Sequence, residues 1–336
     1  MSIKLAINGF GRIGRNVFRI LEKKDFDVEV VVINDLADVE NLAYLLKYDS
    51  VHGRFDGKVE VVDSGLKING REIDVLSVKD PVELPWADYD VDVVIESTGV
   101  FRKREQLEKH LEAGAKKVAL TVPAKDKVDK TIVFGVNDDE LTADDKIVSN
   151  ASCTTNCLAP MAKVLHDKFG IEKALITTIH AYTTSQGILD LPASKMRRGR
   201  AAAENLIPTT TGAAIATTRV MPELEGKIDG MAVRVPVPDG ALVDGVFNLE
   251  KDVTVDGVNE AFKEAAAGDM EGILGYTDDE IVSRDIIGCD YSSYIDGQST
   301  MVVAENQVKV LSWYDNEWGY SNRVLELAVK MAELGL

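Results

Sequence analysis

Short apolar runs alternate with longer mixed segments through the first half of the chain. Segments 4–8, 28–34, 91–97, 117–121 and 131–135 are brief, rich in β-branched residues and bounded by Gly, Asp or Pro. Such runs predict strands buried on both faces of a parallel sheet. Between some of them, 12–23 and 102–113 carry apolar residues at helical spacing, and Gly114 stands where the second helix should stop. Strand–helix alternation predicts an α/β, doubly wound parallel sheet with right-handed crossovers. The texture changes near residue 147. A helical pattern at 154–169 is followed by strand-like segments at 174–182, 231–236, 242–249 and 307–314, separated by long connections. These predict a second domain of α+β type with a mixed or antiparallel sheet. A closing helix is expected at 321–334, ahead of Gly335. The expected division is 1–150, 151–317, and a C-terminal stretch at 318–336 that packs back on the first domain.

The chain has 336 residues, enough for two domains with their own cores. Hydrophobic residues make up 45% and charged residues 28%, the balance of an ordinary globular protein. No apolar run is long enough for a membrane span, and the start lacks a basic segment followed by an apolar one, so a cytoplasmic location is expected. The formal charge of −18 makes nucleic acid and anionic membranes poor partners. An anionic substrate would need local basic groups. The three cysteines, Cys153, Cys157 and Cys289, form no CxxC pair and have no ligand-spaced histidines. Neither a disulfide framework nor a metal site is expected, which leaves a thiol for chemistry.

The first strand runs into Gly9-x-Gly11-x-x-Gly14 and then a helix. In this setting Gly9 permits the tight turn, Gly11 lets backbone approach a pyrophosphate, and Gly14 lets helix and strand pack closely. The helix start offers N–H groups and a positive dipole end to phosphates. About 20 residues further on, the second strand ends at Asp35, where a carboxylate would meet the ribose of a dinucleotide and disfavour a 2′-phosphate. NAD is therefore favoured over NADP.

Cys153 lies among Ser, Asn and Thr residues at the predicted start of the 154–169 helix. A thiol there should have its pKa lowered by the helix dipole and unpaired N–H groups. Cys157, one turn deeper, should face the core, and Cys289, after Ile286-Ile-Gly, should be structural. A thiolate nucleophile wants a base. Of the four histidines, His52 lies in a glycine-containing loop, and His110 and His166 lie on amphipathic helices, where solvated side chains are expected. His180 ends an apolar strand, a common place for reactive groups, but no spacing ties it to Cys153.

Several stretches together resemble the glyceraldehyde-3-phosphate dehydrogenase family. They are Ile7-Asn-Gly-Phe-Gly-Arg-Ile-Gly-Arg15, Lys47-Tyr-Asp-Ser-Val-His-Gly53, Ala151-Ser-Cys-Thr-Thr-Asn-Cys157, 197–203, Pro208-Thr-Thr-Thr-Gly-Ala-Ala214 and 313–320. The resemblance spans essentially the whole chain, and the cysteine motif is its most specific part. It implies a Rossmann domain followed by a catalytic domain, and phosphorylating oxidation of glyceraldehyde 3-phosphate with NAD and inorganic phosphate through a thioester. By resemblance, Cys153 is the nucleophile and His180 its base and ion-pair partner. Thr183 and Arg234 hold the substrate's phosphate, and Ser152, Thr154, Arg198, Thr211 and Gly212 the inorganic one. Beside Gly9 and Gly11, the residues Arg12, Ile13, Asp35, Lys79, Thr121, Asn316 and Tyr320 contact NAD, the last two at the nicotinamide. Lys79 stands where bacterial members often carry Arg, and Leu191-Pro192 resembles the pair of NAD-specific members. A homotetramer is also implied, with 197–203 at a subunit contact.

One stretch departs from the family. Its usual Arg-Val-Pro-Thr-Pro-Asn-Val-Ser reads here Arg234-Val-Pro-Val237-Pro-Asp-Gly-Ala, which bears on the local loop. Two other readings compete. An erythrose-4-phosphate dehydrogenase would share the fold but release its product without phosphate. A silent dinucleotide-binding protein would not turn over at all.

Overall fold

The computed structural model describes residues 2–336, which divide into two compact units. The first comprises residues 2–132, 139–151 and 321–336; the second comprises 133–138 and 152–320.

The first unit is built on a nine-stranded sheet. Its order is Lys130–Thr131, Ile147–Ser149, Lys117–Leu120, Val93–Glu96, Ile3–Asn8, Val28–Asn34, Arg71–Leu76, Gly65–Ile68 and Val59–Val62. The first seven run parallel, and the last two join by antiparallel pairing. Leu5, Ala6 and Ile7 are wholly buried, as a strand at the centre of such a sheet requires. From Ile3–Asn8 the chain goes first to Val28–Asn34 on one side and later to Val93–Glu96 on the other. The order therefore reverses at the carboxyl ends of Ile3–Asn8 and Val93–Glu96, where open α/β sheets form their ligand crevice. The helix Trp318–Glu333 delivers residues 321–336 to this unit. There Val324, Leu325, Ala328 and Met331 are buried at helical spacing. Lys24 Nζ donates to Asn322 Oδ1 at 2.6 Å and Lys117 Nζ to the Met331 carbonyl at 2.8 Å.

The sequence pattern misses part of this sheet. The strands from Val59 to Leu76 alternate charged and apolar residues, and their last two are joined by Asn69-Gly70, with φ of 48° and 88°. Two consecutive positive φ values make the two-residue turn that Asn-Gly favours in hairpins. Conversely, the strand expected at 131–135 ends at Thr131. Beyond it Val133 N–H is taken by Asn137 Oδ1 and Gly135 N–H by Asp138 Oδ1, with Gly135 at φ 75°. Side chains capture the donors a sheet neighbour would need.

The second unit carries a seven-stranded sheet in the order Ile207–Thr210, Ile228–Val235, Ile171–Ala181, Ala241–Leu249, Gln307–Tyr314, Ser293–Val303 and Leu274–Thr277. It is mixed: Ile171–Ala181 pairs parallel with Ile228–Val235 and antiparallel with Ala241–Leu249. Strict alternation of buried and half-buried residues along Ala241–Leu249 marks a sheet with one covered face. Helices Cys153–Phe169, Ala213–Val220 and Val255–Ala266 pack against these strands.

Candidate active site

In the first unit, the turn after Ile3–Asn8 explains two of its three glycines directly. Gly9 has φ 93°, and a Cβ there would lie 2.6 Å from the Thr98 backbone nitrogen. A Cβ on Gly14 would lie 2.3 Å from the Gly9 carbonyl oxygen. Gly11 is different: a Cβ would meet nothing within 4 Å. Nothing in the fold itself forbids a side chain at Gly11, but one would fill the space over the start of helix Arg12–Leu21, which has no side-chain cap. That space belongs to a cavity of about 770 Å³. Its walls include Gly9, Gly11, Asp35, Lys79, Ser97 and Thr98, and an uncapped helix start there suits an anion. Asp35 is held rigidly, accepting from Phe10 N–H at 2.7 Å and Ala37 N–H at 2.9 Å. The cavity and the open cradle over Gly11 fit a dinucleotide.

Arg12, Ile13 and Thr121 are not among the residues lining this cavity. The Arg12 guanidinium pairs with Asp49. Burial tends to raise the Asp49 pKa, but bonds from Arg12 and the His52 and Val51 N–H groups prevail and hold it at about 2. Thr121 is buried and donates to the Glu96 carbonyl at 3.0 Å.

Sequence reasoning missed a buried polar cluster that bonds to two of the lining residues, Asn8 and Thr98. Glu96, wholly buried, accepts from Asn8 Nδ2 at 2.5 Å and from Thr98 N–H at 2.9 Å. His110 Nε2 lies 3.1 Å from the same carboxylate, and Trp86 Nε1 lies 3.0 Å from His110 Nδ1. An indole N–H only donates, so Nδ1 accepts and Nε2–H points at Glu96. His110 is thus fully buried, not solvated as its helix pattern suggested. Its helix face turns toward Trp86 and Glu96, and these polar groups satisfy it. Nothing local to His110 signals partners 14 and 24 residues away.

In the second unit, helix Cys153–Phe169 begins at the predicted nucleophile. Ser152 is its N-cap and accepts from Thr155 N–H at 3.1 Å. The parallel register of Ile171–Ala181 with Ile228–Val235 sets His180 opposite Arg234. Cys153 Sγ lies 3.5 Å from His180 Nε2. On the far side of the ring, His180 Nδ1 lies 2.7 Å from the Ala181 carbonyl oxygen and 2.6 Å from Arg234 Nη1. Tyr314 meets the His180 ring edge to face, and its hydroxyl is 2.9 Å from the hydroxyls of both Thr154 and Thr178.

The electrostatics correct one expectation. Burial pushes the Cys153 thiol up, against the opposing pull of Arg234 and the Thr154 bonds. The same burial, reinforced by Arg234, pulls His180 down to about 3. The helix start does not win in this state, because the sulfur has lost its water. Burial thus opposes a charge on either partner. Burial likewise lifts Cys157 to about 12 and Cys289 to about 11. Cys157 sits within 3.3 Å of Ser312 Oγ in the core.

Of the remaining candidates in this unit, Arg198 is close enough for its charge to act on His180. Its Nε donates to Thr209 Oγ1 at 2.9 Å and its Nη2 to the Thr210 carbonyl at 3.2 Å. Thr211 Oγ1 accepts from Ala213 N–H, and Gly212 precedes helix Ala213–Val220 with no side-chain cap. Thr183 shares a 2.9 Å hydroxyl contact with Ser185. Leu191 is exposed, its N–H bonded to the Gly199 carbonyl. Asn316 and Tyr320 are both buried.

The departing loop brings in Asp239, which is buried against Asp315. Asp315 accepts from Gly288, Glu317 and Trp318 N–H groups at 2.7, 2.8 and 2.6 Å. Burial, with the neighbouring Asp315 and Glu317, pushes Asp239 up to about 10.

Comparison with known proteins follows the same division. Residues 3–104 match the family model described as glyceraldehyde 3-phosphate dehydrogenase, NAD binding domain, and residues 152–316 match the C-terminal domain model. The chain is 58% identical to the glyceraldehyde-3-phosphate dehydrogenase of Priestia megaterium and 58% identical to that of Geobacillus stearothermophilus, over the full length of each chain. It is 55% identical to the Streptomyces coelicolor enzyme of the same name over 98% of both chains.

Proposed function

The chain belongs to the glyceraldehyde-3-phosphate dehydrogenase family, and from that premise we propose that it oxidises D-glyceraldehyde 3-phosphate to 1,3-bisphosphoglycerate with NAD and inorganic phosphate, as a step of glycolysis or gluconeogenesis. The observation that carries this reading is the 3.5 Å approach of Cys153 Sγ to His180 Nε2, with Arg234 beside the ring.

In this reading Cys153 adds to the aldehyde carbon, giving a neutral thiohemiacetal. The backbone N–H of Cys153 and the His180 ring stabilise charge on the former carbonyl oxygen. Bound NAD would supply the acceptor for the hydride that leaves the carbon. His180 Nε2 takes the hydroxyl proton in the same step, leaving a thioester on Cys153. An oxygen of inorganic phosphate then attacks the thioester carbon, the C–S bond breaks, and the thiol is restored. Arg234 and Thr183 grip the phosphate of the substrate. Ser152, Thr154, Arg198, Thr211 and Gly212 receive the attacking phosphate; Arg suits this because a guanidinium offers a bidentate, charge-assisted contact. Gly9, Gly11, Arg12, Ile13, Asp35, Lys79 and Thr121 hold the dinucleotide, and Asn316 and Tyr320 the nicotinamide end.

We further propose a homotetramer acting in the cytoplasm. The support for assembly is apolar surface: Ile188, Leu189 and Met196 on the 183–206 stretch, and Leu175 and Met231 on the second sheet, are exposed. Light scattering should return four times the 36.7 kDa chain mass; a monomer would refute assembly. The activity is tested by following NADH with glyceraldehyde 3-phosphate and with erythrose 4-phosphate, each with and without phosphate. Fast, phosphate-dependent turnover of the three-carbon aldehyde is expected. Phosphate-independent turnover that is faster on the four-carbon aldehyde would overturn the assignment.

A further inference from the structure

Three strands of the first unit end on one row of polar side chains. The register sets Asn8 opposite Glu96 on one side and opposite Asn34 on the other, at the carboxyl ends of Val93–Glu96, Ile3–Asn8 and Val28–Asn34. The row continues into the loop after Arg71–Leu76. There Asn34 Oδ1 accepts from Val78 N–H at 2.9 Å, and Asn34 Nδ2 donates to the Val78 carbonyl at 3.0 Å. Asn34 Nδ2 also donates to Asn8 Oδ1 at 2.7 Å. Glu96 closes the other end. Its Oε2 takes Asn8 Nδ2 and His110 Nε2, and its Oε1 takes the Thr98 N–H and hydroxyl. Asn8, Asn34, Val78 and Thr98 line the dinucleotide cavity, whereas Glu96 lies wholly buried behind them.

The direction of every bond in this row is forced from its ends. Val78 N–H can only donate, so Asn34 presents its oxygen there and its amide nitrogen to Asn8. Asn8 answers with its oxygen, which turns its own amide nitrogen to Glu96. Trp86 Nε1–H can only donate, so His110 accepts at Nδ1 and donates from Nε2. Thr98 N–H can only donate. Glu96 therefore meets donors at both oxygens, and a carboxylate accepts at both. An amide in its place would set N–H against N–H. With its nitrogen at one position it would oppose Asn8 Nδ2, and at the other it would oppose the Thr98 N–H. Flipping Asn8 only passes the conflict to Asn34 and then to Val78. Relief therefore requires moving a wall of the cavity. Resting on the reading that this cavity holds the adenosine half of NAD, we propose that Glu96 is a positioning residue for the cofactor. Its carboxylate fixes Asn8 and Thr98 directly, and Val78 through Asn8 and Asn34, before the dinucleotide arrives. A wall already in place spares the ligand the cost of ordering it. Glu96 thus acts on cofactor affinity rather than on the chemical step.

The test uses ADP-ribose, which carries the adenosine and pyrophosphate without the nicotinamide, in calorimetry on the full chain freed of nucleotide. Glu96→Gln should bind it at least about fivefold more weakly than wild type, the lower end of what an unmatched buried donor costs. In steady state KM for NAD should rise by a similar factor, while kcat changes much less. Trp86→Phe removes a donor at the far end of the row but leaves Glu96 accepting as before, and should bind ADP-ribose as wild type does. Hydrogen exchange on the unliganded wild type adds a check that needs no variant: Thr98 and Val78 N–H should be protected before any ligand is added. A folded Glu96→Gln that binds ADP-ribose as tightly as wild type would overturn the proposal. So would a loss in Trp86→Phe as large as that in Glu96→Gln, which would reduce the effect to lost stability, and so would rapid exchange at both amides. Asp35→Ala judges the underlying reading separately. Unchanged ADP-ribose affinity in that variant would overturn the assignment of the cavity to the adenosine half.

Discussion

His110 and His180 are both buried, and both meet a donor-only group at Nδ1. Around His110 every neighbour agrees. Trp86 donates to Nδ1, Nε2–H points at the Glu96 carboxylate, and one tautomer satisfies the whole cluster. Around His180 the neighbours conflict. Arg234 and Ala181 compete for one nitrogen, and the other nitrogen faces a thiol. A fully agreed network rigidifies a structure, whereas His180 meets competing partners at Nδ1. Burial does not distinguish these two histidines; their hydrogen-bonding partners do.

Substitutions sharpen that contrast. Cys153→Ser should reduce turnover at least about a thousandfold, because the step that forms the thioester is lost. Iodoacetamide at neutral pH should label Cys153 first, since its sulfur faces His180 Nε2 while Cys157 packs in the core against Ser312; labelling of Cys157 or Cys289 first would break the scheme. His180→Asn should slow hydride transfer about 10²- to 10⁴-fold, seen in single-turnover NADH formation, and an unchanged rate would remove the base role. Arg234→Ala should cost about 10- to 150-fold in kcat/KM on glyceraldehyde 3-phosphate, the worth of one charge-assisted contact of about 1.5–3 kcal/mol. The same change should have much less effect on an aldehyde without phosphate.

The smallest effects fall on stability. Trp86→Phe removes the only donor described for His110 Nδ1 and should cost about 1–3 kcal/mol in urea unfolding, with kcat unaltered. A loss of activity without a loss of stability would contradict the structural role given to that cluster. The pH dependence follows from His180. Its folded pKa lies at about 3, below the unfolded value of about 6.5. As pH falls below about 6.5 the unfolded chain binds a proton that the folded one refuses, so stability drops, by at most about 1.4 kcal/mol per unit. His180→Gln should flatten that part of the profile relative to wild type.

The glycine turn is legible in sequence because Gly9 and Gly14 are demanded by close backbone approach, and Gly11 by the space it leaves. The start of helix Cys153–Phe169 is legible because Ser152 caps it. What is not legible depends on register between distant strands. His180 meets Arg234 only because Ile171–Ala181 and Ile228–Val235 pair in parallel, and no spacing encodes that. The resemblance to a family suggested the pairing of His180 with Cys153; the residue pattern alone did not. The polar hairpin strands from Val59 to Leu76 escaped because an edge sheet with charged outer residues lacks a long apolar run. The burial of Cys153 escaped for another reason: the depth of a helix start is a tertiary property, and here burial pushes the thiol up against the pull of Arg234 and Thr154.

The most direct test of the central claim is a burst experiment in phosphate-free, non-nucleophilic buffer. Enzyme saturated with NAD is mixed with excess glyceraldehyde 3-phosphate, and NADH is followed in the stopped flow. The account predicts about one NADH per Cys153, then a stall as the thioester accumulates. Turnover should resume when phosphate is added. Linear NADH formation without phosphate, or a burst that survives Cys153→Ser, would contradict it.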